Sequence, residues 1–396
     1  MFLFFYSHKI ITFVVQKLDV MNTNNPSYQK FLTLLRNALC ISGELPNDVS
    51  AEEWKDIYHF AQKQALLGVI FEGVRKLDGN NAPPFAMLMQ WTATAEKIRG
   101  MNKSFYAECQ RLTQLFEGKG RKTAILKGQA NSLLYPDKYI RQPGDIDIYV
   151  DGGKDSVIKL LDSMDLLSKE EEELKCYHHV HIENRDSEIT VEVHFRPSSG
   201  FYNPIFNKRL QKFLLEEVKA SQLNEQGFHV PTMKFALAMQ LAHVQRHFIE
   251  EGIGLRQITD YYLPLKNCSP DDRAAISAML GDFGLKRFSA ALMYVLKSIY
   301  NLDESLMLCP PDEKRGEKLL SAIIDGGNFG WFRADRKEGN FAKPVQRKIR
   351  TLKHSTLFPR EITWYYLQCT GKFFAKLPQR IKYRSWSLQS IKRKTK

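Results

Sequence analysis

The chain has 396 residues, of which 43% are hydrophobic and 26% are charged, so it can bury a core, is not intrinsically disordered, and has the length of two or three domains. It contains no run of about 18 uninterrupted apolar residues, and its six cysteines form no CxxC pair, which argues against a membrane-spanning helix, a zinc ribbon and a redox motif. The net charge of +13 is concentrated in residues 331–396, where 18 Lys or Arg stand against 3 Asp or Glu; residues 1–330 carry a net charge of −2.

The first 20 residues, MFLFFYSHKIITFVVQKLDV, are strongly apolar. They begin without basic residues, lack a small-residue cleavage site and are interrupted by His8 and Lys9, so they do not fit a signal peptide. A second methionine, Met21, opens a polar stretch that leads into a helical pattern. We expect residues 1–20 to be a non-native extension of the reading frame and Met21 to be the natural start.

Residues 21–120 are predicted to form a helical N-terminal region. Apolar residues recur at helical spacing over residues 27–75, and a break rich in Asn and Pro at 80–84 precedes a further helix predicted over 85–118. The apolar positions that support these helices include Phe31, Leu34, Leu35, Ala38, Trp54, Ile57, Phe60, Leu88, Trp91, Ala95, Ile98, Phe105, Cys109, Leu112 and Leu115.

The pattern changes in residues 121–225, where short apolar runs alternate with helical segments. Residues 123–127 (TAILK) are predicted to be a buried strand, a short helix follows Gly128, and residues 145–150 (DIDIYV) alternate acidic and apolar side chains as a strand with one polar face does. After an amphipathic helix, the segments CYHHVHIE and EITVEVHF flank a turn at 184–187 and predict a hairpin.

Helical spacing returns from Pro231, so residues 226–330 are predicted to be a helical C-terminal region. Residues 331–396 form a basic, aromatic-containing and less regular tail. The predicted fold class is therefore α+β, with a small mixed sheet flanked by N- and C-terminal helical segments.

Three acidic residues of the predicted strands are candidate metal ligands. Because alternate side chains of a strand share a face, Asp145 and Asp147 should point together while Ile146 and Ile148 point into the core. The same alternation in ITVEVHF directs Glu192 to the polar face. If the two strands are neighbours, three carboxylates converge, and such hard oxygen ligands suit Mg²⁺ and the two-metal chemistry of phosphoryl transfer.

The segment before the acidic pair suits a phosphate ligand. Gly128 lets the backbone approach closely, and Lys127 and Arg141 offer positive charge. A DxD alone is common on solvated strand edges, and a Lys-Gly pair alone carries no information. The order of strand, glycine, helix, acidic pair and later acid favours the functional interpretation.

These residues resemble the pattern of a known family. The stretch LKGQANSLLYPDKYIRQPGDIDIYV followed by VEVHF is similar to the uncharacterised nucleotidyltransferase family of bacterial proteins, which belongs to the nucleotidyltransferase superfamily with the DNA polymerase β-like fold. The resemblance covers roughly residues 30–265. The matching positions are Leu126, Lys127, Gly128, Tyr135, Pro136, Arg141, Asp145, Asp147, Glu192 and His194, with Trp54, His243, His247, Arg256 and Asp260 in the helical flanks.

The resemblance implies a nucleotidyltransferase that takes an NTP, such as ATP, transfers its nucleoside monophosphate and releases pyrophosphate. It implies Asp145, Asp147 and Glu192 as the ligands of Mg²⁺ (Mn²⁺ is an alternative), with Glu192 also a candidate proton acceptor. The usual glycine-serine turn of the superfamily is Gly128-Gln129 here, a departure in the triphosphate-binding segment. The acceptor stays open among a small molecule, a sugar, a protein and RNA.

A second hypothesis keeps the fold but makes the chain a catalytically weak binding or scaffold protein. Its working part would be the basic tail, acting at an anionic membrane surface or on RNA. Residues 372–396 hold nine Lys or Arg, no acid and several interleaved aromatic residues. The alternative is that the tail is a solvated end of the chain without a binding role. If the tail does bind an anionic bilayer, each basic residue near the surface contributes about 1 kcal/mol. We expect a cytoplasmic protein, with peripheral membrane attachment as an option.

Histidines form two further clusters. His178, His179 and His181 crowd the predicted hairpin, where a polar strand face beside the active site is favoured over a metal site. His243 and His247 lie one helical turn apart and lack the glutamate of a zinc-protease motif, so they are interpreted as helix packing or substrate-side polar residues. Further along, Arg256 and Asp260 are predicted to form a helical salt bridge.

Overall fold

The computed structural model describes residues 25–167, 176–182, 187–330, 351–352, 354–375 and 377. The helices are α1 (Pro26–Ala38), α2 (Ala51–Lys63), α3 (Leu67–Val74), α4 (Phe85–Glu117), α5 (Gln129–Ser132), α6 (Gly153–Ser163), α7 (Pro204–Glu217), α8 (Met233–Glu250), α9 (Leu255–Asn267), α10 (Pro270–Met279), α11 (Lys286–Tyr300), α12 (Glu313–Gly326) and α13 (Pro359–Ala375). The strands are β1 (Thr123–Ile125), β2 (Ile146–Val150), β3 (His179–Ile182), β4 (Val191–His194), β5 (Gln222–Leu223) and β6 (His229–Val230). The predicted α+β class is confirmed.

The four longer strands form one mixed sheet in the order β1-β2-β4-β3. The β1–β2 pair is antiparallel, the central β2–β4 pair is parallel, and the predicted hairpin of β3 and β4 is antiparallel. In the central pair Asp147 lies opposite Glu192 and Ile148 opposite Val193. The two acidic positions therefore lie on one face of the sheet and the apolar positions on the other.

The apolar face of the sheet covers a small core of its own. Ile146 and Ile148 of β2 are fully buried, as the alternation predicts, and they pack with Phe116 of α4 and Val157 of α6. Because apolar burial is the main favourable term in folding, this packing fixes which face of β2 turns outward. The acidic side chains are left on the opposite face.

The helical regions on either side of the sheet share a second and larger core. Trp54 of α2 and Trp91 of α4 are buried in the same cluster as Tyr261 of α9 and Phe288 of α11. Helix α4 joins the two cores, because its first half packs in the helical cluster and its second half packs under the sheet. The predicted division of the chain at residues 120 and 225 stays a prediction.

A side-chain cap fixes the start of α8, the helix that later forms one wall of the candidate site. The hydroxyl oxygen of Thr232 accepts a hydrogen bond from the backbone N–H of Phe235 at 3.1 Å. Such a cap satisfies one of the free N–H groups of the first helical turn. Met233 is therefore the first residue of the helix.

Three parts of the fold were not predicted. One is helix α13 (Pro359–Ala375), which lies in the tail that was predicted to be less regular. Helix α7 begins after Asn203, whose side chain accepts hydrogen bonds from two backbone N–H groups, and it buries only Leu210, Gln211 and Leu214. So narrow an apolar stripe gives a weak helical signal. The short pair β5 and β6 was also missed; each strand has only two residues.

Some predictions fall outside the described residues. These are the N-terminal extension at residues 1–20, the start at Met21, the turn at 184–186 and most of the basic tail. Within the described part of the chain, no helix combines the length and the apolar character needed to cross a bilayer.

Candidate active site

Three carboxylates meet on the polar face of the central strand pair. Asp147 and Glu192 are paired across β2 and β4, and Asp145 immediately precedes β2. One ligand oxygen from each lies within 4.8 Å of the others. The predicted convergence of Asp145, Asp147 and Glu192 is confirmed as geometry, and their role in catalysis stays a prediction.

Lys127 lies among these carboxylates. Its Nζ is 2.9 Å from Asp147 Oδ2 and 4.0 Å from Asp145 Oδ1. Burial disfavours the ammonium, but Asp145, Asp147 and Glu192 outweigh burial and raise the pKa of Lys127 above its usual range. The lysine therefore stays charged and offsets part of the negative charge of the cluster.

The two aspartates have opposite electrostatic surroundings. Asp147 is buried, and although burial alone would favour its neutral form, Lys127 and a hydrogen bond to His194 lower its pKa. Asp145 is only half-buried, and although Lys127 favours its charge, the nearby Asp147, partial burial and Glu192 together raise its pKa. Ionisation is thus supported at Asp147 and opposed at Asp145.

Histidines surround Glu192 and Asp147. His194 Nε2 is 3.0 Å from Asp147 Oδ1 and 3.4 Å from Glu192 Oε2. From β3, His179 Nδ1 lies 3.1 Å and His181 Nε2 lies 3.3 Å from the Glu192 carboxylate. Burial lowers the basicity of His194, but its hydrogen bonds to the two carboxylates raise its pKa to about 9. His179 and His181 thus share a polar face of β3 beside the acidic cluster, as the alternation predicts.

Gly128 occupies a backbone conformation that other residues avoid. Its φ is +63° and its ψ is −101°, and it directly precedes α5. Only glycine adopts such angles without strain. Helix α5 has four residues, so its dipole is small, and Gln129 is buried. This turn can therefore contribute to ligand binding through the backbone at Gly128, which a ligand can approach closely, rather than through the dipole of α5.

Arg141, predicted to bind nucleotide, forms an ion pair within the protein. It is buried, and Nε and Nη2 of its guanidinium donate to the two carboxylate oxygens of Asp260 at 2.8 and 2.7 Å. The hydroxyl of Tyr135 donates to the same carboxylate at 2.9 Å. Two donors of Arg141 are thus held by the protein, although the residue borders the cavity. Its predicted contact with nucleotide stays a prediction.

The helical salt bridge predicted between Arg256 and Asp260 is wrong. Asp260 is paired with Arg141, and Arg256 Nη1 instead donates to the carbonyl oxygen of Gln142 at 3.0 Å. Burial and the neighbouring charge of Arg141 lower the pKa of Arg256 to about 10. Both arginines therefore anchor the segment that leads to Asp145.

A cavity of about 490 Å³ opens over the carboxylates. This lies within the usual size range of small-molecule sites, about 300–1,000 Å³. Its floor includes Lys127, Gly128 and the three carboxylates. Its other walls include Ser198, Ser199, His243, Arg246, His247 and Arg256.

The two histidines of α8 lie in this wall. Burial holds the pKa of His243 well below its usual range, so this imidazole is neutral. His247 Nδ1 lies 3.2 Å from Glu251 Oε2. Their placement agrees with the prediction of substrate-side polar residues, although their contact with a substrate is not tested.

Phe329 also borders the cavity, in a strained conformation that the sequence did not reveal. Its φ of +51° and ψ of +26° are unusual for a bulky residue. It lies between Gly327 and Gly330, which both have positive φ, and Gln257 Nε2 donates to Asn328 Oδ1 at 2.9 Å. Strain of this kind costs about 1–3 kcal/mol and often marks functional sites. In the sequence, the glycine-rich run GGNFG could have indicated this unusual backbone conformation.

The polar groups around Phe329 complete the wall. The Arg256 guanidinium lies 5.7 Å from the centre of the phenyl ring, and the His247 ring lies 5.4 Å from it. A flat aromatic surface and a cation are thus presented together in the cavity that the carboxylates also line.

The family assignment agrees with this geometry. Residues 50–301 match the model of the uncharacterised nucleotidyltransferase family, which is more than half of the chain. The match includes all three carboxylates, Lys127 and the cavity residues of α8 and α9, whereas Phe329 lies outside it. No curated protein matches the chain at a significant level. The chain belongs to the uncharacterised nucleotidyltransferase family.

Proposed function

We propose that the chain transfers a nucleoside monophosphate from an NTP to a hydroxyl or amine acceptor, with Mg²⁺ as cofactor. The observation that supports this most is the meeting of Asp145, Asp147 and Glu192 at the floor of the cavity, beside Lys127. Family membership supports nucleotidyl transfer in general terms.

The donor set fits a hard divalent cation. Three carboxylates offer only oxygen ligands, which Mg²⁺ prefers, and Mn²⁺ accepts the same set. Asp145, Asp147 and Glu192 would hold the metal. When bound, it would supply positive charge for the triphosphate and for the charge that develops during transfer.

The residues next to the carboxylates would bind the triphosphate. Lys127 is charged and borders the cavity, so its ammonium can turn from Asp147 to a phosphate oxygen. Gly128 leaves room for the backbone to come close. In the transfer itself, an acceptor oxygen or nitrogen forms a bond to the α-phosphorus while the bond to pyrophosphate breaks.

Phe329 would hold the nucleobase. Every base has a π-face, and stacking on an aromatic side chain contributes about 1–3 kcal/mol per base. Arg256 beside the ring adds positive charge at the same wall. The strained backbone of Phe329 supports this role, because strain of this kind often marks functional sites.

Binding of Mg-NTPs tests the proposal directly. Titration calorimetry of the full chain with each of the four Mg-NTPs should show binding of at least one, and Asp145→Asn should remove its Mg²⁺ dependence. A variant that keeps full Mg-dependent binding and turnover would refute the carboxylate site. Incubation of a cell extract with labelled NTP and the protein, followed by mass spectrometry, would identify the acceptor.

The second candidate function is attachment to an anionic membrane surface through the tail. In the described part of the tail, α13 exposes Leu367, Phe373 and Phe374, and the exposed Lys372 precedes the two phenylalanines in the sequence. Exposed aromatic residues next to basic ones suit a membrane interface. If no Mg-NTP binds, this scaffold function gains support.

A further inference from the structure

A second cluster of ligand side chains lies where the chain enters β3. Cys176, His178 and His179 each offer one ligand atom, and the three atoms lie within 4.8 Å of one another. We propose that these three residues form a metal site, separate from the carboxylate site, that binds Zn²⁺.

The ligand types separate the two sites. A thiolate and two imidazoles are soft or borderline ligands, which select Zn²⁺ and related transition metals. Mg²⁺ takes oxygen ligands almost exclusively. Mg²⁺ therefore disfavours the donor set of Cys176, His178 and His179, whereas Zn²⁺, which also accepts carboxylates, prefers it.

The spacing of the cluster fits tetrahedral coordination. With Zn–S of about 2.3 Å and Zn–N of about 2.05 Å, a tetrahedral angle places sulfur and nitrogen about 3.6 Å apart. Cys176 Sγ lies 3.6 Å from His178 Nδ1. The two groups thus already have the separation that a shared zinc ion requires.

His179 has one ring nitrogen beside a carboxylate, as many zinc-bound histidines do. Its Nδ1 lies 3.1 Å from Glu192 Oε2, close enough for an ion pair but without the alignment of a hydrogen bond, so a turn of the ring on metal binding would let Nδ1 donate to Glu192 while Nε2 faces the metal. A carboxylate that accepts from the second nitrogen of a metal-bound imidazole fixes its orientation and raises its basicity. Glu192 would therefore serve one site as a ligand and the other as a hydrogen-bond acceptor.

Three protein ligands leave a fourth position free. His178 and His179 border the cavity, and Cys176 is not among the residues that line it. In zinc sites with three protein ligands, water or a substrate takes the fourth position. The proposed site can therefore take a ligand from the same cavity that the carboxylates line.

Cobalt provides the test, because Co²⁺ replaces Zn²⁺ and reports its ligands by colour. The chelator-treated full chain should bind one equivalent of Co²⁺ with intense visible bands of tetrahedral geometry and a thiolate-to-cobalt charge-transfer band. Zn²⁺ added in equal amount should remove both signals. Cys176→Ser should abolish the charge-transfer band, since no sulfur ligand remains.

The matched control is Cys309→Ser. Cys309 is also half-buried, but its sulfur lies near Ser289 and away from the cluster, so this variant should keep the band. His178→Gln should keep the sulfur signal while weakening Co²⁺ binding, and Glu192→Gln should weaken it by about 10- to 100-fold. Circular dichroism confirms that each variant is folded.

The outcomes separate this proposal from the nucleotidyltransferase proposal. A missing charge-transfer band in the wild-type chain, or a band that survives Cys176→Ser, would overturn the zinc site. Asp145→Asn should keep the cobalt spectrum while losing Mg-dependent nucleotide binding. Because the cobalt measurement uses no nucleotide, failure of either proposal leaves the other standing.

Discussion

Neutralising each aspartate of the carboxylate cluster should have opposite effects on the stability of the metal-free protein. Asp147 is 1% exposed, and its oxygens lie 2.9 Å from Lys127 Nζ and 3.0 Å from His194 Nε2. The Asp145 side chain is 41% exposed, and its oxygen is 4.0 Å from the same lysine. The change to Asn therefore removes strong favourable contacts at Asp147, whereas at Asp145 it removes a charge that Lys127 stabilises but that Asp147, partial burial and Glu192 together oppose more strongly.

The expected magnitudes follow from these contacts. Removing one partner of a buried ion pair costs about 3–5 kcal/mol. In Asp147→Asn the new amide oxygen would still accept a hydrogen bond from His194, so we expect this variant to lower the free energy of unfolding by about 3 kcal/mol, the lower end of that range. We expect Asp145→Asn to change it by no more than about 0.5 kcal/mol, on the stabilising side, as for an exposed position.

Urea unfolding in the presence of a chelator measures both values. Repeating it with Mg²⁺ measures binding, because a ligand at 100 times its Kd adds about 2.7 kcal/mol to the free energy of unfolding. The wild-type chain should gain this stability and both variants should lose most of it. Equal destabilisation by the two substitutions in chelator, or an unchanged Mg²⁺ effect in both variants, would refute the reasoning.

The remaining predictions use similar measurements. Lys127→Ala should weaken Mg-NTP binding in calorimetry by about 1.5–3 kcal/mol, and unchanged affinity would remove this lysine from the site. Gly128→Ala should lower the free energy of unfolding by about 1–3 kcal/mol because of its positive φ, and a neutral effect would contradict the strained turn. Arg141→Ala should cost about 3–5 kcal/mol of stability in urea, since it leaves Asp260 buried without its partner; a loss of nucleotide affinity with unchanged stability would contradict this. Deletion of residues 372–396 should abolish binding to anionic vesicles in low salt and leave Mg-NTP binding unchanged; vesicle binding that survives the deletion would contradict the membrane hypothesis.

The sequence predicted those elements whose side chains repeat with a clear period. Helix α4 was predicted over 85–118 and is observed at Phe85–Glu117, because its apolar residues recur along the whole length. Helix α7 was missed because it buries only three residues. Periodicity reports how much apolar surface an element buries, so it fails for elements that bury little.

The carboxylate site was predictable because strand alternation is strict. Asp145 and Asp147 had to share a face once Ile146 was assigned to the core, and the structure buries Ile146 fully. The histidine contacts to Glu192 were not predictable in the same way. They depend on the antiparallel register of β3 and β4, which places His181 opposite Glu192, and alternation within one strand does not contain that register.

The pairing of Arg141 with Asp260 shows that a long-range tertiary contact can outweigh a pairing predicted from helical spacing. Spacing of four residues favoured Arg256 as the partner of Asp260, but such a surface pair contributes only about 0.2–0.5 kcal/mol. A buried, two-pronged contact between a guanidinium and a carboxylate is much stronger and has defined geometry. Arg141 and Asp260 both belong to the pattern by which the chain resembles its family, and the structure shows them bound to each other across 119 residues of sequence. The contact ties the segment that ends at Asp145 to α9, so it fixes one metal-ligand candidate relative to the wall of the cavity.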